Sequence, residues 1–166
     1  MTRVATVWVI HAGRRGRDAQ AFENAGLAGL SLPPIADLST LPRDRAIERI
    51  ERELEAASPI GPSSGRSRTF AATLLRFIHD IQLGDHVITP DRASRQVLAG
   101  EISGPYEFIE TPPIAGYYHI RPVKWLGRLA RSELSAQAIR SIGAPGPLYQ
   151  PAAQEQLAAL PLWRSH

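Results

Sequence analysis

The sequence predicts an α+β fold, a strongly bent β-barrel of about five to six strands with flanking helices. Three observations predict it. The stretch from Phe77 closes a helix on Leu83-Gly84-Asp85 and passes at once into the apolar pair Val87-Ile88. Gly100 interrupts the apolar run Val97 to Ile102, where a barrel strand must bend or another backbone comes close. From His119 to Trp125 the side chains alternate, with Ile120, Pro122 and Lys124 on one face and Arg121, Val123 and Trp125 on the other. That is the pattern of a half-buried strand with one wet side.

Taken in order, Val4 to Ile10 is apolar and rich in β-branched residues, as a buried strand requires. It runs into a glycine-flanked basic turn, Gly13-Arg14-Arg15-Gly16-Arg17. Asp18 to Asn24 suits a short helix stopped at Gly26, and Leu27 to Leu32 a second strand ended by Pro33-Pro34. Ser39 or Thr40 is placed to cap the next helix, with Pro42 in its first turn and Ile47, Ile50 and Leu54 as its apolar stripe. Ser58 to Ser67 reads as a mobile loop that delivers Arg66 and Arg68 to the mouth of a helix over 69–82. Phe70, Leu74, Phe77, Ile78 and Ile81 form that helix's buried face, and His79 is expected beside Phe77.

Gly84 suits the left-handed residue that ends a helix. Strands follow over Asp85 to Thr89 and Arg95 to Ile102, with Pro90 expected to block further ladder pairing. Tyr118 to Trp125 is the last strand, and Trp8 and Trp125, inside apolar strands, are expected in the core. Ser132 is placed to cap a helix over 133–142, stopped by Gly143. Beyond it, 144–166 reads as a helical tail or linker.

At 166 residues and 43% hydrophobic content the chain is long enough for one domain with a sizeable core. Net charge is only +3 although the pI is 9.8, so bulk charge does not announce a nucleic-acid binder and the placement of arginine must carry that case. The absence of cysteine removes disulfides, thiolate nucleophiles and cysteine-ligated metals, and fits a reducing cytoplasm. Met1 to Ala12 lacks the features of a signal peptide, and no apolar run approaches the ~20 residues of a bilayer span. A cytoplasmic protein with no membrane partner is expected.

Val7-Trp8-Val-Ile-His11-Ala-Gly13, Asp37-Leu-Ser39, Leu75-Arg-Phe77-Ile-His79, Leu83-Gly-Asp85, Ala99-Gly-Glu-Ile102, Tyr106 and His119 to Gly127 occur in one order over residues 4–143. Together they resemble the PUA-like superfamily with its EVE and YTH branches, most closely the EVE-like modules at the N-termini of Mrr-type and related modification-dependent restriction proteins. The resemblance implies a PUA/EVE-like nucleic-acid-binding domain over 1–143. It further implies a DNA reader that accepts a flipped, modified base and serves as the specificity module of a defence protein whose nuclease lies in another domain or subunit. An RNA-binding PUA-like domain and a sensor of a free nucleotide or small ligand are the alternatives.

The basic turn 13–17 follows a strand and precedes a helix, an arrangement that aims backbone N–H groups and arginines at one anion. The plain alternative is a solvated loop. With the resemblance, Arg14, Arg15 and Arg17 become candidate contacts to the nucleic-acid backbone, as do Arg66 and Arg68. A base cage needs ring faces, and Tyr106, Phe108, Tyr117 and Tyr118 are the candidates, since in the YTH branch the corresponding loop supplies a cage aromatic. His11, Ala12, Gly13, Ser31 and Leu32, at strand ends that line the pocket in related folds, complete the expected pocket. The chain departs from its Mrr-associated relatives at Leu30-Ser31-Leu32, where they commonly carry an Ile-Gly-Trp run, and at Thr69, Thr73 and Leu75, where they often carry a polar residue and a tyrosine.

The five histidines form no HxH or i,i+4 pair, and no metal or other cofactor is expected. No nuclease Glu-x-Lys or Gln-x-Lys element and no nucleophile-base motif is present, so no catalytic residue is assigned and the chain reads as a binding domain rather than an enzyme.

Overall fold

The structure, a computed structural model, describes residues 3–57 and 64–164, with the side chains of 57 and 64–67 outside the description. It is an α+β fold built on one strongly curled sheet. Strands β1 (Val7–Ile10), β2 (Leu27–Leu30), β3 (His86–Asp91), β4 (Gln96–Ile102), β5 (Glu107–Phe108), β6 (His119–Ala130) and β7 (Leu148–Tyr149) join in the order β2-β6-β4-β3-β1-β7, with β5 beside β6. The pair β1–β3 is parallel, and every other pair is antiparallel.

The curl has a local cause in β6. Its first residues, His119 to Pro122, pair with β2, and from Val123 onward it pairs with β4. Between Ala99 and Gly100 the β4 register slips, so that Ala99 faces Gly127 and Gly100 faces Trp125. Such a bulge bends the strand and increases its twist. A side chain at Gly100 would have its Cβ 2.7 Å from Trp125 Cε3 and 2.9 Å from the Lys124 carbonyl, so the bend requires glycine.

Both faces of the sheet are covered, which is why β1 is buried at every residue rather than at alternate ones. Trp8 and Ile10 face a core shared with helices α1 (Ala19–Ala25), α2 (Arg43–Ala57) and α3 (Ser64–Leu75), while Val7 and Val9 face α4 (Ala136–Ile142) and α5 (Gln154–Ala158). Each fully buried large side chain, such as Phe22, Phe77 or Leu98, contributes about 1.5–3 kcal/mol. Trp8 is buried as expected, and Trp125 packs half-buried on the same core, its Nε1 donating to the Phe22 carbonyl at 3.0 Å.

Asp85 ties the start of the chain to the sheet. Its Oδ1 accepts from Arg3 Nη2 at 2.6 Å and the Thr6 N–H at 3.1 Å, and its Oδ2 accepts from Trp8 Nε1 and the Gln82 N–H, both at 2.9 Å. Burial pushes this carboxyl's pKa up, but the four donors outweigh it and hold it below the ordinary aspartate value.

Several expectations are corrected. α3 begins at Ser64, inside the stretch read as a loop, while 58–63 lie outside the described residues. Its continuation is a π-helical turn, Arg76–Asp80, closed by the Ile81 N–H on the Arg76 carbonyl; the wider turn leaves His79 exposed rather than beside Phe77. The β3–β4 ladder runs through Pro90 and Asp91, because pairing with β1 stops at Ile88 and the proline falls where only one neighbouring strand remains. Ser135, not Ser132, caps α4, its Oγ accepting from the Ala138 N–H at 3.1 Å. Gly84 is left-handed as expected, with φ of 87°. The segment after 143, read as a tail or linker, is integral: β7 extends the sheet beside β1, and Leu148, Ala153 and Leu157 are buried. Among the described residues no helix is long and apolar enough to cross a membrane.

Candidate functional site

β1 and β2 stand four places apart in the sheet, yet the curl brings their ends together around one cavity of about 570 Å³. From the end of β1 come His11, Gly13 and Arg14, and from the end of β2 come Gly29, Leu30, Ser31 and Leu32. Phe70 of α3 and Tyr117, ahead of β6, supply ring walls, and the loop from Gly143 to Pro147 closes the side below α4. A volume of this size suits a small organic ligand or a nucleotide.

Two glycines at the wall, Gly13 and Gly29, leave no room for a side chain. A Cβ on Gly29 would lie 2.9 Å from the His119 carbonyl and 3.1 Å from Tyr117 Cδ1, and one on Gly13, whose φ is 72°, would lie 2.6 Å from Asp18 Oδ2. That tight packing fixes Tyr117. Its hydroxyl donates to Asp18 Oδ2 at 2.7 Å, and its ring meets Phe22 edge-on at 5.2 Å. Burial, reinforced by Asp18, raises the phenol pKa well above its usual value, so Tyr117 is a neutral donor.

His11 lies at the back. Tyr149 donates its hydroxyl to the Ile142 carbonyl at 2.7 Å, which leaves its oxygen to accept from His11 Nε2 at 3.0 Å. Burial and then the Arg92 guanidinium lower the imidazole pKa, with backbone hydrogen bonding at Ala144 pulling the other way, so His11 is neutral at physiological pH. Burial likewise pushes the Tyr149 phenol up to about 12.

The structure gathers His11, Gly13, Ser31, Leu32 and Tyr117 from the expected pocket and separates the others. Ala12 is fully buried behind the cavity. Tyr106 turns into a different part of the core: His119 Nε2 donates to the Pro33 carbonyl at 2.8 Å, so its Nδ1 is the acceptor for the Tyr106 hydroxyl at 2.6 Å, and the two rings stack. Tyr118, beside Tyr117 in the segment ahead of β6, instead stacks on Phe108 of β5. The expected aromatic wall thus reduces to Tyr117, joined by Phe70, a ring expected on the buried face of its helix.

Of the expected backbone-binding arginines, Arg14 lines the cavity and Arg15 is exposed on the same turn with φ of 58°. Arg17 is exposed but lies 3.6 Å from Asp18, and Arg68 lies 3.7 Å from Glu51 of α2. The Arg66 side chain is outside the described residues. Sequence reasoning missed a second basic group. A small cleft of about 40 Å³ shares His11, Arg92 and Gly143 with the main cavity and adds Arg95 and Arg131. Arg131 is held there by its N–H on the Arg95 carbonyl at 3.0 Å. The one carboxylate in the cleft, Asp91, is taken by Arg128, which also bonds Glu23, each at 3.1 Å. Among the described residues Arg92, Arg95 and Arg131 have no acidic partner, so the cleft is net positive. The turn between β3 and β4 was visibly basic in the sequence, but only the β1–β3 pairing and the curl place it over His11.

A family model described as "Domain of unknown function (DUF8426)" matches residues 8–141, four-fifths of the chain and nearly all of the curled sheet. No curated protein matches.

Proposed function

The chain belongs to the DUF8426 family, and we propose that it is a PUA/EVE-like DNA reader that takes an extruded, modified base into the cavity between the ends of β1 and β2. The observation that carries this reading is the cavity itself, with mixed apolar and polar walls, two rings and a rim of arginines without acidic partners. Arg14 from the turn after β1, Arg92 and Arg95 from the β3–β4 turn and Arg131 from the end of β6 anchor phosphates, and the nucleotide between them rotates out of the stack. Unstacking costs a few kcal/mol, and contact with Tyr117 and Phe70 offsets about 1–3 kcal/mol of it. The exposed Ser31 at the lip, with no side-chain partner among the described residues, offers a donor and an acceptor to the base edge. In this reading the chain performs no catalysis and serves a cytoplasmic defence system whose nuclease is another domain or subunit.

A free nucleotide or small ligand is the second reading, favoured by the reduction of the expected aromatic cage to two rings, one of them largely buried. RNA remains a further outcome of the same experiment. Gel-shift titrations would use matched duplexes carrying cytosine, 5-methylcytosine, hydroxymethylcytosine or glucosylated cytosine, matched RNA, and a Ser31→Trp variant that fills the cavity mouth. The DNA reader requires tighter binding to one modified duplex, with that preference lost in Ser31→Trp while salt-sensitive affinity survives. Thermal stabilisation by mononucleotides with no duplex affinity would favour the second reading, and tighter binding of the RNA would favour that polymer.

A further inference from the structure

A second cavity, of about 530 Å³, opens elsewhere on the fold and shares no wall residue with the first. At its inner end lies Arg121, only 4% exposed. A buried guanidinium needs an anion and full use of its five N–H groups. Arg121 has neither: its Nη1 makes only long contacts to the Phe77 and Ile78 carbonyls, at 3.4 and 3.5 Å, and its buried Nε has no partner. Asp85 attracts it electrostatically, but both oxygens of that carboxylate are already committed to Arg3, Thr6, Trp8 and Gln82. Among the described residues no carboxylate pairs with Arg121.

Most of the remaining wall is apolar, with Ser39, His79 and Gln82 as its polar members. Ile78 and Tyr106 form walls, and Leu83, one of two large hydrophobic residues left exposed among the described residues, stands at 61% exposure on the rim. The carbonyls that Arg121 touches belong to the π-helical turn, a geometry that recurs at functional sites. One buried guanidinium behind a largely apolar mouth matches one negative charge on an apolar body. A doubly charged phosphate would leave one of its charges uncompensated here.

We propose that this cavity is a binding site for a small monocarboxylate with an apolar body, whose carboxylate pairs with Arg121 and whose body lies against Ile78, Leu83 and Tyr106. The site is independent of the DNA reading.

The test uses hexanoate as the probe on the full chain, with hexan-1-ol and acetate as controls at constant ionic strength. Thermal denaturation and amide chemical shifts are read together. Hexanoate should raise the melting temperature with concentration and shift amides around Arg121 and Leu83, with the alcohol and acetate at least about tenfold weaker. Leu83→Glu, at an exposed rim position, should fold normally and abolish the response by placing a like charge at the mouth. Arg121→Met, if it folds, should also be unresponsive; if it does not fold, Leu83→Glu decides. Equal effects of hexanoate and hexan-1-ol, an undiminished response in Leu83→Glu, or shifts confined to the cavity at His11 would each overturn the proposal.

Discussion

Arg14 and Arg92 face the main cavity with no acidic ion-pair partner among the described residues, whereas Arg17 and Arg68 sit beside Asp18 and Glu51. Exposed ion pairs of that kind are worth little to stability, but the carboxylate offsets the positive charge that the arginine would offer to a phosphate. In the DNA reading the arginines therefore divide by partner rather than by sequence run. The triple substitution Arg14→Ala, Arg92→Ala, Arg131→Ala should flatten the log–log salt dependence of duplex binding by about 2–3, since each phosphate contact contributes roughly 0.9. The double substitution Arg17→Ala, Arg68→Ala should change it by less than about 1. Fluorescence anisotropy across a salt series measures both; an unchanged slope in the folded triple variant would remove these three arginines from the interface.

At the scale of elements, the segment after Gly143 determines more than its composition suggests. β7 occupies the outer edge of β1, the His11 N–H donates to the Pro147 carbonyl at 3.0 Å, and Gln154 Nε2 donates to the Val7 carbonyl at 3.0 Å. Leu157, fully buried, joins Val7, Val9 and Ile88 in the second core cluster. Truncation after residue 143 would uncover both that apolar face and a strand edge, and it would remove one wall of the cavity. The truncated chain should aggregate, or unfold at lower urea concentration with a shallower transition, when compared by circular dichroism with the full chain. A truncated chain with unchanged midpoint and cooperativity would show the segment to be dispensable.

For the whole molecule, buried histidines and aspartates set the response to acid. Burial is the leading cause of the lowered pKa values of His11, His86 and His119, so between the ordinary value of 6.5 and each folded value the unfolded chain binds a proton that the fold does not. Stability therefore rises with pH in that window, is complete above it and is lost as pH falls through it. Asp85 and Asp91, held below 3.8 by their donors despite burial, add a second loss at lower pH with the same sign. Urea unfolding free energies should decline as pH drops below 6.5, and His119→Gln should reduce that slope. A flat profile from about pH 8 to 5 would contradict the assignment of neutral buried histidines.

Periodicity alone determined the strands at Leu27, His86, Gln96 and His119, the helix carrying Ile47 and Ile50, and the special status of Gly84 and Gly100, because helix and strand periods and left-handed turns are written in local side-chain order. The same order made 13–17 and 92–95 visibly basic. It did not reveal that the last strand buries both Arg121 and His119, since that depends on what the π-helical turn and Tyr106 cover. Nor did it reveal which of four neighbouring aromatic rings enters the cavity, because Tyr117 and Tyr118 are adjacent ahead of β6 and differ in their tertiary partners, Asp18 and Phe22 for one and Phe108 for the other. The meeting of His11, Ser31 and Arg92 was decided only by tertiary structure. Residues far apart in the chain become neighbours there through a bulge at Gly100 and the parallel pairing of β1 with β3, and no local pattern encodes the sum of those bends.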